Sequence, residues 1–196
     1  MLKWSKVKAE IIYLKEVRQG EGMMMNTGAL ERAELSETPH KAQPVGKIAD
    51  YILKYGDGLG YDFDGLQLLK LAYIAHGFHL GVYGTPLFAE KVEAWQYGPV
   101  IPELYHAYKH YGRQKIFDIP VDAGRGLHPS AIDSIEAAVD VYGDMPGIRL
   151  SALTHKDGTP WAEIYRPGRK NIEISNNVIR DYYVSWFARL KSHNTS

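Results

Sequence analysis

Three groups of residues have types and spacing that could do chemistry. The first is His155, within Leu153-Thr154-His155 and ahead of Pro160-Trp161, with Asp157 and Glu163 as the nearby carboxylates. A general base needs an acid or nucleophile within hydrogen-bond reach, so this trio defines a hydrolase-type enzyme centred on His155. The alternative is a structural corner, in which Thr154 and His155 hydrogen-bond the turn leading into Trp161. We expect the corner, and no catalytic residues. The second group is two histidine pairs, His76 with His79 at i, i+3 and His106 with His110 at i, i+4. Each puts two imidazoles on one helix face, but neither has a third ligand nearby, so we expect structural or surface histidines and no metal. The third is the stretch Tyr105 to Lys115, which interleaves aromatic and basic side chains. That pattern suits a nucleic-acid-binding regulator that stacks bases and attracts phosphates. With Tyr105 and Tyr108 turned inward and Lys109, Arg113 and Lys115 solvated, it is equally an ordinary helix face, and we expect the latter.

Standard cofactor and nucleophile signatures are absent, and no cofactor is expected. Gly46-Lys47 is followed by Ile48 and lacks the upstream glycine of a phosphate loop. The run Gly56-x-Gly58-x-Gly60 lies between two helical stretches, whereas a dinucleotide fingerprint follows a strand and opens a helix. No Gly-x-Ser-x-Gly elbow occurs. Asp57, Asp62 and Asp64 are out of register for a calcium loop and read as a polar turn and a helix cap.

Composition narrows the class of protein that must position these groups. The chain has 196 residues, enough for one domain with a real core, and no cysteine, which excludes disulfides, thiolate metal sites and thiol nucleophiles. Its 23 Lys+Arg balance 23 Asp+Glu, so no overall field draws it to nucleic acid or acidic lipid. No apolar stretch is long enough to span a membrane, no secretory leader is read, and a reducing cytoplasm fits. The 14 tyrosines are the unusual entry in the composition, and suit either a core edged with hydrogen bonds or a contact surface.

The pattern is mainly α, with two or three short strands: a compact bundle of six or seven helices around a buried central helix, 66–80. Residues 1–43 form an N-terminal extension, with a basic amphipathic helix over 3–18 and then a flexible linker. The methionine triplet at 23–25 offers alternative natural starts. A one-faced helix follows Pro44 and ends near Gly56, and Asp64 caps the central helix. Residues 87–95 contain a short strand or an irregular segment, Gly98-Pro99 turns the chain, and Pro99 or Pro102 opens a helix ended by Gly112. An edge strand is expected over 116–120. Ser130 with Asp133 forms a capping box for the next helix. Further helices are expected over 147–154, presenting Ile148, Leu150 and Leu153, and over 161–165. A last helix after Ser175 would bury Val178, Tyr182, Trp186 and Leu190, with 191–196 as a tail. Tyr73, Tyr105, Tyr108, Tyr142 and Tyr182 are expected in the core, and Tyr97, Tyr111, Tyr165 and Tyr183 near turns or helix edges.

Several blocks together carry a family resemblance: Leu66-Gln-Leu-Leu-Lys-Leu-Ala-Tyr-Ile-Ala-His-Gly77, Pro86-Leu-Phe88, Glu93-Ala-Trp-Gln-Tyr-Gly-Pro-Val-Ile-Pro-Glu-Leu-Tyr105 and Leu150-x-x-Leu153-Thr154-His155 with Pro160-Trp161. In this order they resemble the Panacea, or SocA-like, antitoxin domain, over residues 44–190. The resemblance implies a helical bacterial or phage antitoxin that neutralises a cognate toxin protein encoded nearby, with a link to phage defence. It also implies, for one branch, delivery of the toxin to a cellular protease. The motif positions carried over are Trp95, Tyr97, Gly98, Pro99, Val100, Thr154, His155 and Trp161. We expect Trp, Gly and Pro to be architectural, and His155 and Tyr97 to meet the partner.

Overall fold

The structure, a computed structural model, describes residues 41–193; the expected helix over 3–18, the linker to residue 40 and the methionine triplet lie outside them. Among the described residues are seven α-helices and one two-stranded antiparallel sheet, so the chain is mainly helical as its periodicity indicates. Helix α1 (Val45–Gly58) follows Pro44 and buries Val45, Ile48, Ala49, Ile52 and Leu53 on one face. The Glu90 carboxylate accepts the Val45 N–H at 3.0 Å, placing an acceptor where the helix start has unpaired donors.

Helix α2 (Gly65–Tyr83) is the centre of the fold. Asp64 and Gln67 cap it reciprocally: the Asp64 carboxylate accepts from Gln67 N at 2.8 Å, and the Gln67 side-chain oxygen accepts from Asp64 N at 3.3 Å. Its side chains are buried all round, because α1, α4 (Pro129–Tyr142), α5 (Gly147–Thr154) and α7 (Asn176–His193) pack against it. Gly77 meets the Tyr183 ring of α7 so closely that any Cβ there would overlap it.

Three tyrosines fasten this bundle by their tips. Tyr51 and Tyr55 of α1 donate to Glu136 and Asp140 of α4 at 2.8 and 3.0 Å, and Tyr83 of α2 donates to Asp133 at 3.2 Å. Their apolar rings pack on the core while the hydroxyls satisfy α4 carboxylates. Much of the tyrosine excess is therefore structural.

Strand β1 (Glu93–Trp95) pairs with β2 (Gly98–Val100) in the register Glu93–Val100, Ala94–Pro99 and Trp95–Gly98, leaving Gln96-Tyr97 as the tip. The expected strand in 87–95 is present, but Gly98-Pro99 is a strand and not an entry into a helix. Pro99 lies opposite Ala94, and of the two expected openings it is Pro102 that starts the helix, α3 (Pro102–Tyr108). On the other edge of β1, Ala94 N donates to Ile172 O, and Ile174 N donates to Val92 O, each at 2.8 Å.

Other expectations are corrected. Residues 116–120 form no strand; Ile116 N donates to Phe63 O, and Pro120 then removes a donor. The cap of α4 is His128, whose Nδ1 accepts from Ser130 N at 3.2 Å, while the Ser130 hydroxyl lies within 3.0 Å of both His79 and His128. Ile148 is exposed and Leu150 is buried in α5. Among the described side chains of α7 the buried ones are Ile179, Tyr183 and Phe187, one position beyond the expected stripe; Val178, Tyr182 and Trp186 are only half-buried, and the side chain of Leu190 lies outside the described ones. The glycines of α2 make room for the Tyr183 and Phe187 rings, which rotates the helix onto that neighbouring stripe. Short helix α6 (Pro160–Ile164) is capped by Thr159, whose hydroxyl accepts from Ala162 N at 3.3 Å.

Candidate functional site at the hairpin corner

Trp95, Tyr97, Gly98, Pro99 and Val100 come from the hairpin, and Thr154, His155 and Trp161 from the α5–α6 turn. The fold brings the two groups together. Trp161 Nε1 donates to Trp95 O at 2.7 Å, and the rings of Trp161 and His155 meet edge to face with centroids 3.9 Å apart. Trp95 Nε1 donates to Glu93 at 2.8 Å, its ring packs edge-on against Tyr105, and Tyr165 stacks on Trp161.

The tip is held from below by its own carbonyl oxygens. Ser151 Oγ donates to Tyr97 O at 2.8 Å, and His155 Nε2 lies 3.2 Å from Gln96 O. His155 Nδ1 is 2.6 Å from Ser151 O, an acceptor only, so this nitrogen carries a hydrogen. Thr154 Oγ1 donates to Ser151 O, and Thr159 Oγ1 to Thr154 O, closing the corner from inside.

His155 sits beneath the hairpin tip with its ring among backbone oxygens. Both ring nitrogens face backbone carbonyls, and neither Asp157 nor Glu163 hydrogen-bonds the ring. Ser151 Oγ is 3.5 Å from Nδ1, but its hydrogen goes to Tyr97 O and Nδ1 is a donor, so the polarity is wrong for a nucleophile and base. His155 and Thr154 do make a corner, though it braces the hairpin tip as much as the turn to Trp161.

Tyr97 is the outlier among the motif residues. It is 67% exposed, whereas Gly98, Pro99, Val100 and Thr154 are buried and Trp95, His155 and Trp161 are half-buried. An exposed tyrosine on an ordered loop is a poor structural element and a good contact residue.

Two residues that pattern reading passed over complete the site. Ser151 is one, and Lys70 is the other. Lys70 is fully buried and donates from Nζ to Pro99 O at 2.9 Å, with no carboxylate partner. Burial lowers its pKa from 10.5 to about 7. Gly98, at φ +104°, gives this amine its space: a Cβ there would lie 2.6 Å from Lys70 Nζ and 2.9 Å from Thr154 Oγ1. The signal was present, since Lys70 is the one charged residue in an otherwise apolar and neutral helix.

The remaining candidates lie elsewhere. His76 Nε2 pairs with Asn176 at 2.9 Å and its ring stacks on Phe88, while burial lowers its pKa to about 4. His79 uses Nδ1 on Thr85 O at 2.7 Å and Nε2 on Ser130. Along 105–115, Tyr105 and Tyr108 are half-buried, Lys109 and Arg113 are exposed, and Tyr111 donates to Asp118 at 2.6 Å. Lys115 is not simply solvated, because its Nζ donates to Asp62 O at 2.8 Å and Gln67 at 3.0 Å.

The family model described as antitoxin SocA-like, Panacea domain, matches residues 68–162, a span that contains Lys70, the hairpin and the α5–α6 corner. Antitoxin SocA of Caulobacter vibrioides (strain NA1000 / CB15N) is 31% identical over 150 residues, covering 69% of this chain and 80% of the relative. The chain belongs to the SocA-like antitoxin family. No solved structure matches it. The SocA-like core thus includes both chain segments of the corner, and α1 and the whole of α7 lie outside the matched span. No described helix is long and apolar enough to cross a membrane.

Proposed function

We propose that this chain is the antitoxin of a toxin–antitoxin pair, and that it neutralises a cognate toxin protein, encoded nearby, by direct binding in the cytoplasm. Tyr97 carries the reading. Its ring is displayed on a loop whose backbone carbonyl is already held by the Ser151 hydroxyl, so less further ordering is needed on association. Tyrosine is also among the residues that dominate the energetics of protein interfaces. Ile148, 70% exposed on α5 one turn before Ser151, adds an apolar anchor on the same helix that holds the tip. The balanced net charge suits a protein partner better than a polyanion. The Caulobacter relative, named as an antitoxin, supports the same role.

Co-expression of the full chain with the product of the adjacent gene tests this reading. Growth should be restored and a complex should co-purify. Tyr97→Ala should weaken the complex about tenfold or more without lowering the unfolding midpoint. Continued toxicity in the presence of soluble, folded protein would overturn the proposal.

A further inference from the structure

A cavity of about 140 Å³ lies behind the corner, between α2, the α5–α6 turn and α7. That is several times the roughly 30 Å³ that a water molecule occupies in the liquid, and below the roughly 300 Å³ at which pockets for drug-sized ligands begin. Tyr73 and Tyr183 line it. They are only 2% and 6% exposed, and neither hydroxyl has a hydrogen-bond partner among the described residues. Neither oxygen is sealed from solvent, so both hydroxyls are open donors on one small cavity, available to a ligand that enters it. Burial raises the pKa of both phenols, which keeps them protonated and able to donate at neutral pH.

The rest of the lining defines the chemistry. Tyr142 and Tyr182 add two further phenols and Lys156, at the exposed edge, adds a cation. Thr154 and Thr159 reach the cavity with their hydroxyl hydrogens already given to carbonyls. None of the described lining residues is acidic, while Ile74, Leu153 and Trp186 supply apolar wall. Donors and a cation without a carboxylate select an oxyanion, and the apolar wall selects a short hydrocarbon body. We propose that this cavity binds a small organic acid, a carboxylate carried on a short aliphatic chain, with Tyr73, Tyr183 and Lys156 holding the carboxylate.

Sodium butyrate is a suitable probe for the full-length protein, titrated against sodium chloride at equal ionic strength. Saturable binding is expected, with a shift of the Trp186 indole resonance and a melting temperature that rises with butyrate concentration. Tyr73→Phe and Lys156→Gln should each weaken binding, the first by about tenfold. Butan-1-ol, which has the same chain without the carboxylate, should bind at least about tenfold more weakly. Lys156 is exposed, so its variant reports even if Tyr73→Phe disturbs packing. The proposal is overturned if butyrate shows no saturation, if butan-1-ol binds equally well, or if neither substitution changes the affinity. None of these results bears on toxin neutralisation.

Discussion

Lys70 Nζ lies 2.9 Å from the carbonyl oxygen of Pro99, so the only Lys, Arg, Asp or Glu side chain of the central helix ends beneath the hairpin that displays Tyr97. The contact links the deepest helix of the fold to its most exposed motif residue. It also places a titrating group at the base of the proposed contact site.

The first prediction concerns pH. The pKa of Lys70 is lowered from 10.5 to about 7 in the folded state, so between these values the unfolded chain holds a proton that the folded chain lacks. Stability owed to this residue therefore rises with pH across that window, and below about pH 7 the full cost of burying the ammonium remains. Lys70→Met removes the titration while keeping much of the volume. Urea melts of both proteins at about pH 7 and about pH 9 should show the wild type gaining on the variant. A difference that stays flat would contradict the assignment.

Gly98→Ala should be destabilising by about 2 kcal/mol or more, because it combines a strained positive φ with a Cβ pressed onto Lys70 and Thr154. Denaturant unfolding at neutral pH measures it. A neutral effect would mean that the hairpin can shift away from the amine.

Gly77→Ala sets two effects against each other. Alanine favours a helix by about 1 kcal/mol over glycine, but its Cβ would overlap the Tyr183 ring. Overpacking of a close-fitted core costs about 1–3 kcal/mol, so net destabilisation is expected. The double variant Gly77→Ala/Tyr183→Leu should recover part of the loss, as a thermal melt would reveal.

Ser151→Ala removes the donor to Tyr97 O. The expected loss of stability is about 1 kcal/mol, together with weaker toxin binding, since the tip must then be ordered on association. Tyr97→Ala should instead leave stability within about 0.5 kcal/mol. Calorimetric binding and unfolding measurements on the two variants separate holding the loop from touching the partner.

Local patterns were legible where one solution dominated. The run Leu66 to Leu80 with Asp64 ahead of it could only be a capped, fully buried helix, and α1 showed a single apolar face. Helix α7 carries two adjacent stripes, Val178-Tyr182-Trp186 and Ile179-Tyr183-Phe187, and the choice between them lies in the glycines of another helix. The hairpin was hidden because Gly98-Pro99 is turn chemistry in isolation; only the pairing with Ala94 and Trp95 makes it a strand. The meeting of residues 95–100 with 154–161 is a tertiary fact with no local signature, reachable in advance only through family resemblance. Lys70 was readable as an anomaly, but its partner, a backbone oxygen, has no letter in the sequence.

The fastening of the tip through the Tyr97 carbonyl oxygen has one more consequence. Every amino acid supplies that oxygen, so the anchor is indifferent to which residue occupies the position. Descendants of this scaffold can exchange the displayed side chain while the mounting beneath it stays intact.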